Sequence, residues 1–291
     1  MPIKESELIL NPDGSIYHLN LKPEHIANTV IFVGDPDRVE RVTSHFDTIE
    51  FETQKREFKT QTGVFNGKRI SVISTGIGPD NIDIVLNELD ALVNIDFNTR
   101  QIKKELNSLN IVRIGTSGSL QKDISVDSFL ASRYALDLNG MLQSYQIDAI
   151  SHPDIEQAFI EQTQWSVNKA RPLVISGSEK LFQVFADSNL SSGLTATAGG
   201  FYGPQGRTLR LKLQDADLNS KMDAFQHKNI KITNLEMETS AIYGLSKLLD
   251  HEAISLNAII ANRAVGTFSK NPLKVVDNLI AFALDKIAEK L

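Results

Sequence analysis

Apolar residues follow two patterns that alternate along the chain: short β-branched runs, and longer stripes with apolar residues three or four apart. The short runs predict buried strands at Thr29–Val33, 111–114, 193–198, 231–235 and 258–261. The stripes predict helices at 81–96, 155–164, Glu179–Phe185, 239–249 and 273–291. This alternation predicts an α/β protein, a three-layer sandwich in which helices flank a central twisted mixed β-sheet.

Turn residues and polar stretches predict the hairpin, the N-terminal arm and the number of domains. Asn66-Gly67 predicts a tight turn that joins Phe58–Phe65 to Lys68–Ser74 as a hairpin. Polar sequence at 99–107 is helix-like, and residues 1–28 are expected to form a polar, irregular arm with a turn at Asn11-Pro12-Asp13-Gly14. No repeat, low-complexity tract or linker divides the chain, so residues 1–291 are predicted to be one domain.

Composition narrows the class of protein. The chain has 291 residues, is 41% hydrophobic and carries a formal net charge of -6, which gives no basic surface for nucleic acid. It has no cysteine, which excludes disulfides, thiolate metal sites and a cysteine nucleophile. No apolar stretch is long enough to span a bilayer. We therefore expect a cytoplasmic protein that binds neither nucleic acid nor membrane.

Two strand ends have the residues of an anion site. The run at 111–114 is expected to open into a loop at 115–119, whose glycines and hydroxyls would form a concavity for an oxyanion such as phosphate. Arg113 lies inside the strand, where a guanidinium is either aimed at a ligand or held in an ordinary ion pair. After Thr29–Val33, Gly34 permits a turn and Arg38 would point back over the strand tip.

Two further segments offer groups for an organic ligand. In the glycine-rich loop at 199–207, Phe201 offers a stacking face while Gln205 and Arg207 offer hydrogen-bond donors, a set that suits a planar heterocycle. Glu236 and Glu238 lie where a strand changes to a helix, so they would either project into a cleft or complement the helix dipole. A dinucleotide site at Gly76-Ile77-Gly78 is disfavoured, because Asn81 stands where the third glycine is needed.

Taken in order, these motifs resemble the nucleoside phosphorylase family. The resemblance covers residues 17 to 263 and rests on eight short matches. They are Tyr17-His18-Leu19, Gly34-Asp35-Pro36-Asp37-Arg38-Val39, Arg56-Glu57-Phe58, Ser74-Thr75-Gly76-Ile77-Gly78, Arg113-Ile114-Gly115-Thr116, Phe201-Tyr202 with Gln205-Gly206-Arg207, Glu236-Met237-Glu238 and Asn262-Arg263.

The resemblance implies a role for each group of residues. Phosphate would be held by Gly34, Arg38, Arg113 and Thr116, with Arg56 from a partner subunit. The base would contact Phe201, Gln205 and Arg207. The ribose would contact Glu236, Met237 and Glu238, with His18 from the partner subunit at the 5′-hydroxyl. Arg113, Arg207 and Glu238 would be the catalytic residues.

The implied partners are uridine and phosphate as substrates, and uracil and ribose 1-phosphate as products. The implied assembly is a homodimer, or a hexamer built as a trimer of dimers, with the arm at the dimer interface and shared active sites. Asn262-Arg263 stands where purine-specific relatives have an Asp, which favours a pyrimidine. No metal or organic cofactor is expected, and Asn81 replaces a serine that binds an interfacial monovalent cation in some relatives.

Three alternatives stay open. A purine nucleoside phosphorylase would share the fold and the phosphate site. A nucleosidase of the same fold would use water, and phosphate dependence separates it from a phosphorylase. A non-catalytic nucleoside-binding protein would keep the pocket and lack turnover.

Overall fold

The computed structural model describes residues 2–188 and 190–291. These residues form seven α-helices and fourteen strands, together with short 3-10 helices at Pro23–His25, Met141–Ser144 and Gly203–Gln205. The helices are α1 (Pro36–Thr43), α2 (Pro79–Asn94), α3 (Pro153–Thr163), α4 (Glu179–Phe185), α5 (Leu218–Ala224), α6 (Thr239–Leu248) and α7 (Pro272–Lys290). The strands are β1 (Thr29–Val33), β2 (Thr48–Lys55), β3 (Phe58–Phe65), β4 (Lys68–Ser74), β5 (Ile95–Asp96), β6 (Gln101–Ile102), β7 (Asn110–Ser119), β8 (Phe129–Asp137), β9 (Leu173–Ser176), β10 (Leu190–Thr197), β11 (Gln226–His227), β12 (Ile230–Glu236), β13 (Glu252–Asn262) and β14 (Thr267–Phe268).

One mixed sheet contains twelve of these strands, in the order β11-β12-β10-β8-β13-β7-β1-β4-β3-β2, with β9 on β8 and β14 on β13. Its centre is parallel, because β7 lies between β1 and β13 and all three run the same way. The end of β7 also pairs antiparallel with β12, where Ser119 lies opposite Asn234. Half of the sheet therefore curls back on itself, and the ends of β7 and β12 meet.

Helices cover both faces of the sheet, as alternation along β1 illustrates. Val30 and Phe32 pack into the cluster that contains the apolar residues of α2 and α6. Ile31 and Val33 point the other way, into the cluster formed with α1, α4 and α7. Adjacent strand residues face opposite sides, so a strand that is apolar throughout is buried on both. The predicted three-layer α/β sandwich is confirmed.

Several predicted elements are present with the expected bounds. β1 and α4 begin and end where the sequence pattern placed them, and β3 and β4 form the expected hairpin. Its turn residues Asn66 and Gly67 both have positive φ, 47° and 75°. That conformation matches the twist of the flanking strands, which explains why the Asn-Gly pair was informative.

The predicted loop at 115–119 was wrong, because β7 continues through Ser119. Parallel pairing with β13 extends along this stretch, from Gly115 opposite Asn257 to Ser119 opposite Asn262. On the other edge of β7, β1 pairs with residues up to Arg113, and β12 pairs with Gly118 and Ser119. The small residues therefore belong to a strand whose exposed edge faces a cavity, and not to a loop of inward-turned N–H groups.

The helix-like segment at 99–107 was also wrong, since β6 lies there and pairs with β5. The arm at 1–28 has little regular structure, as predicted, but it is not polar on its inner side. Five of its buried apolar residues pack into the cluster of α2 and α6; they are Leu8, Ile16, Leu19, Leu21 and Ile26. Within the described residues, no helix is both long enough and apolar enough to cross a membrane.

Candidate active site

A cavity of about 690 Å³ opens at the carboxyl ends of β1, β4, β7 and β12. Small-molecule sites typically occupy about 300–1,000 Å³, so the cavity has room for a nucleoside-sized ligand and an anion. Most of the predicted site residues line it. They are Gly34, Arg38, Arg113, Thr116, Phe201, Gln205, Arg207, Glu236, Met237 and Glu238.

Arg113 is the centre of a buried charge cluster on the cavity floor. Its Nη2 lies 2.6 Å from Oε2 of Glu238 and 3.2 Å from Oε2 of Glu236. The Arg113 side chain is only 9% exposed, so these ion pairs form away from bulk water. Arg113 is therefore ion-paired, as one of the two alternatives expected, and it also lines the cavity. That it binds a ligand stays a prediction.

The pKa shifts of this cluster follow from burial and from the excess of carboxylates. Burial raises the pKa of Glu238, Arg113 opposes that effect, and the nearby Glu236 carboxylate adds to it. Burial alone would lower the pKa of Arg113, but the two carboxylates outweigh it and the pKa is raised. Arg113 therefore stays charged, and Glu238 binds a proton more readily than an exposed glutamate.

Glu236 holds the strand-to-helix junction together. Its Oε1 accepts a hydrogen bond from Thr197 Oγ1 at 2.7 Å, and its Oε2 accepts from the backbone N–H of Glu238 at 2.9 Å and of Thr239 at 3.0 Å. A carboxylate on the free N–H groups of a helix start also complements the helix dipole. The dipole alternative raised from sequence thus fits Glu236, and its predicted contact with ribose stays a prediction.

Glu238 has a different environment. Its Oε1 accepts from the backbone N–H of Gly78 at 2.8 Å and its Oε2 pairs with Arg113. Each carboxylate oxygen can accept more than one hydrogen bond, so lone pairs remain for hydroxyl groups of a ligand. Glu238 is the carboxylate best placed to bind a polyol in this cavity.

The turn after β1 brings a second guanidinium to the cavity. Asp35 caps α1 by accepting from the N–H of Asp37 at 3.0 Å, and Pro36 occupies the first helical turn, as the sequence predicted. Arg38 then reaches back, and its Nη1 lies 3.4 Å from the carbonyl oxygen of Ile114. Burial and the charge of Arg113 lower the pKa of Arg38. Among the described residues no ion pair neutralises Arg38, so this end of the cavity attracts an anion.

Gly115 is needed where it stands because Arg113 crosses it. A Cβ added to Gly115 would lie 2.0 Å from Nη1 and 2.4 Å from Cζ of Arg113. Real Cβ atoms do not approach other atoms so closely. The Arg113 side chain therefore runs along β7 toward Ser117, and only glycine leaves it that path.

At the other end of the cavity, Phe201, Gln205 and Arg207 form one group. The Arg207 guanidinium carbon lies 3.7 Å from the centre of the Phe201 ring. Its Nη1 donates to the carbonyl oxygen of Phe201 at 2.6 Å and to Gln205 Oε1 at 2.5 Å. Stacking and hydrogen bonds hold Arg207 in place, which leaves its other N–H groups for a ligand.

Arg263 braces this group and was not among the predicted site residues. Its Nη1 donates to the carbonyl oxygen of Gln205 at 2.6 Å, and its Nη2 donates to Gln205 Oε1 at 2.9 Å. Two guanidiniums thus hold the Gln205 amide oxygen, so the amide nitrogen is its free donor. Burial and the neighbouring Arg207 lower the pKa of Arg263 to about 10. An arginine at the end of a predicted strand was the available sequence signal.

The predicted preference for a pyrimidine substrate rested partly on Asn262, whose side chain bonds to the backbone of two neighbouring turns. Its amide nitrogen donates to the carbonyl oxygens of Gln121 and Ile124 at 2.9 and 2.7 Å. Its amide oxygen accepts from the N–H groups of Ala264 and Val265. Asn262 shapes the turn after β13.

Two predicted residues, His18 and Arg56, are not among those lining this cavity. Arg56 is exposed, in the turn between β2 and β3, with a φ of 56°. His18 is half-buried on the arm, where its Nδ1 lies 2.6 Å from Glu88 Oε1 and its N–H also bonds to Glu88. Both were expected to serve a partner's site, and that expectation stays a prediction.

Sequence reasoning also missed some lining residues. It gave no binding role to Glu57 and Asn81, which lie in or beside its motifs, whereas Ser117 is one of the hydroxyls that it expected at an oxyanion site. Ile77 and Phe268 are large, exposed apolar residues at the cavity, 70% and 63% exposed. Ile77 lies within a motif that the sequence had marked, whereas nothing in the local sequence marks Phe268, because only the tertiary fold brings it there.

The fold and this cavity define the class of protein. Residues 28–287 match the phosphorylase superfamily, and the chain belongs to that family. It is 27% identical to the uridine phosphorylase of Thermococcus kodakarensis over 283 residues, and this match covers 95% of this chain and 88% of that protein. It is 25% identical over 280 residues to a DeoD-type purine nucleoside phosphorylase of Thermoanaerobacter, covering 94% of this chain and 99% of that protein. A nucleoside phosphorylase structure from Trypanosoma brucei, described as showing uridine phosphorylase activity, superposes with a TM-score of 0.87 at 26% identity and covers 97% of this chain and 100% of its own.

Proposed function

We propose that this protein is a uridine phosphorylase, a pentosyltransferase that converts uridine and phosphate reversibly to uracil and ribose 1-phosphate. The observation that carries the proposal is the combination of charges in one cavity. Arg38, a half-buried arginine with no ion pair among the described residues, opens onto the same space as Arg113 and Glu238. An anion and a polyol could bind there side by side, which is what phosphorolysis of a nucleoside requires.

In this reaction a phosphate oxygen forms a bond to the anomeric carbon while the glycosidic C–N bond breaks. Positive charge develops on the sugar, as in glycoside cleavage. Arg38 and Arg113 orient the phosphate, with Gly34 and Thr116 beside it, so that much of the rate comes from positioning. Glu238 holds the ribose hydroxyls, next to Met237, close to the developing positive charge.

The departing uracil takes the electron pair of the C–N bond. Its negative charge and its carbonyl oxygens meet donors from Arg207 and the Gln205 amide, by the logic of an oxyanion hole. Phe201 offers an aromatic face to the ring. Since phosphate is itself the nucleophile, we propose that the reaction needs neither a metal nor an organic cofactor.

We further propose a homodimer, or a hexamer of three dimers, in which His18 and Arg56 complete a partner's site. Support comes from where these side chains lie: both are at least partly accessible and neither lines the cavity of its own subunit. We propose the cytoplasm as its location and pyrimidine nucleoside salvage as its role.

The deciding experiment measures base release from uridine and from inosine, each with and without phosphate, and identifies the sugar product. We expect uracil and ribose 1-phosphate to appear from uridine only when phosphate is present. Free ribose without phosphate would make the protein a nucleosidase. Turnover of inosine alone would make it a purine nucleoside phosphorylase, the activity named for the Thermoanaerobacter relative. No turnover under any condition would favour a nucleoside-binding protein.

Replacing Arg207 should affect the base and the phosphate unequally. In Arg207→Ala we expect kcat/KM for uridine to fall about 100-fold, as for the loss of one oxyanion-hole donor, while the KM for phosphate changes less than about threefold. Steady-state kinetics with each substrate varied in turn would measure both. Equal losses for the two substrates would contradict a role in base recognition.

A further inference from the structure

A chain of buried polar side chains runs from Arg113 beneath the cavity floor. Arg113 Nη1 donates to Asn257 Oδ1 at 3.2 Å. The amide nitrogen of Asn257 lies 3.3 Å from Ser132 Oγ, which in turn lies 2.5 Å from Thr195 Oγ1. Asn257, Ser132 and Thr195 are all buried, on the adjacent strands β13, β8 and β10.

This series of hydrogen-bonded side chains reaches the cavity again at Ser117. Thr195 Oγ1 donates to Asn234 Oδ1 at 2.8 Å, and Asn234 Nδ2 donates to Ser117 Oγ at 2.9 Å. The single proton of Thr233 Oγ1 has two acceptors in reach, Asn234 Oδ1 at 2.9 Å and the carbonyl oxygen of Leu194 at 3.2 Å. Ser117 is 5% exposed and lines the same cavity as Arg113.

The two ends of this series set the direction of the hydrogen bonds between them. A guanidinium only donates, so Asn257 must accept with its oxygen and donate with its nitrogen to Ser132. At the far side, the oxygen of Asn234 accepts from Thr195, so Thr195 must accept from Ser132. Asn234 then donates to Ser117. Ser117 receives this hydrogen bond on a lone pair, and its own proton is left over.

Ser117 lines the region between the two ends of the cavity. Arg113, Gly115 and Ser117 alternate with their neighbours along β7, so they share one face of the strand. Arg113 crosses over Gly115 and ends short of Ser117. Farther along β7, the carbonyl oxygen of Ser119 accepts a hydrogen bond from the backbone N–H of Arg263, whose side chain braces Gln205. Ser117 therefore lies between the anion end and the base end.

We propose that Ser117 is a further catalytic residue, whose hydroxyl donates a hydrogen bond to the departing base beside the glycosidic bond, with Asn234 as its positioning residue. This rests on the proposed phosphorolysis. As the C–N bond breaks, its electron pair moves to the base, and the Ser117 hydrogen bond stabilises the resulting negative charge without transfer of the proton. The phosphate oxygen forms the new bond to the sugar, and Ser117 forms no covalent bond.

The test compares Ser117→Ala with Ser117→Thr, which keeps a hydroxyl. We expect Ser117→Ala to lower kcat/KM for uridine about tenfold, the effect of one neutral hydrogen bond, and to change the KM for phosphate less than about twofold. Ser117→Thr should retain most of the activity. With 5-fluorouridine, whose base is a better leaving group, the Ser117→Ala deficit should shrink, which a purely structural role would not predict.

A second variant reverses the hydrogen bond instead of removing it. Asn234→Asp keeps an oxygen for Thr195 and Thr233 but replaces the donor to Ser117 with an acceptor. Ser117 would then donate to the new carboxylate, away from the cavity. We expect the same loss as in Ser117→Ala, and no additional loss in the double variant.

The control is Ser246→Ala in α6, which removes a buried hydroxyl whose oxygen has no hydrogen-bond partner among the described residues. We expect its kinetics to match the wild type. Phosphate-dependent release of uracil by the wild type tests the proposed function separately. If that release is normal and Ser117→Ala is equally active, or its deficit is the same for uridine and 5-fluorouridine, the role of Ser117 is overturned while the proposed function stands.

Discussion

Arg113→Ala is expected to lower phosphate-dependent turnover of uridine at least about 100-fold and to destabilise the fold by about 3–5 kcal/mol. The loss of activity follows because Arg113 and Arg38 are the two guanidiniums of the proposed phosphate site. The loss of stability follows because Arg113 lies within 3.2 Å of both Glu236 and Glu238, which would be left as two buried carboxylates without their cation. Kinetics at saturating and limiting phosphate, with urea unfolding in parallel, would measure both effects.

The matched control is Arg133→Ala, because Arg133 forms a comparable pair on the surface. Its Nη2 lies 2.8 Å from Glu179 Oε2, but the two side chains are 43% and 61% exposed. An exposed ion pair contributes about 0–1 kcal/mol, so neither stability nor turnover should change much. An Arg113→Ala protein that is fully active would contradict the phosphate role, and one as stable as Arg133→Ala would contradict the buried-charge argument.

Gly115→Ala is expected to lower kcat/KM for phosphate about 100-fold while the protein remains folded, the loss typical of a catalytic group displaced by about 1 Å. The added methyl group would occupy the space of the Arg113 guanidinium, 2.0 Å from Nη1. That guanidinium is the end of a flexible side chain, so it moves away and the backbone does not. It then loses its alignment with Glu238 and Asn257, to which it now donates. Kinetics with phosphate varied would measure the loss, and circular dichroism would test folding.

Gly203→Ala makes the same chemical change in a place with room for it. An added Cβ there meets only Leu213, at 3.9 Å, so we expect wild-type kinetics. If Gly115→Ala and Gly203→Ala behave alike, the orientation of Arg113 does not depend on the space above Gly115. Normal activity in Gly115→Ala would lead to the same conclusion.

Local sequence determined much of the fold because the signals concerned act over a few residues. The β-branched run at Thr29–Val33 forms a strand that is buried on both faces. The Asn66-Gly67 pair supplies the two positive φ angles in the turn of the hairpin between β3 and β4. The capped turn before α1 placed Arg38 correctly. These features depend on backbone conformation and on side-chain alternation, which neighbouring residues largely set.

The segment at 115–119 shows where local signals fail. Glycine and serine usually favour a turn. Here β13 and β12 pair with that stretch of the chain, and the hydrogen bonds of the sheet outweigh the local preference. The partners lie more than 100 residues away in sequence, so a reading of neighbouring residues could not identify them.

The sequence by itself determined which arginines, carboxylates and aromatic residues stand at the strand ends. Only the tertiary structure decided which partner each of these side chains binds. In the folded protein, Glu236 binds the backbone N–H groups at the start of α6 and Glu238 pairs with Arg113. Arg38 has no ion pair among the described residues, and Arg263 donates to the side chain of Gln205. The physical reason is that a residue's charge and donors are local properties, whereas burial and hydrogen-bond partners depend on strands brought together from distant parts of the chain.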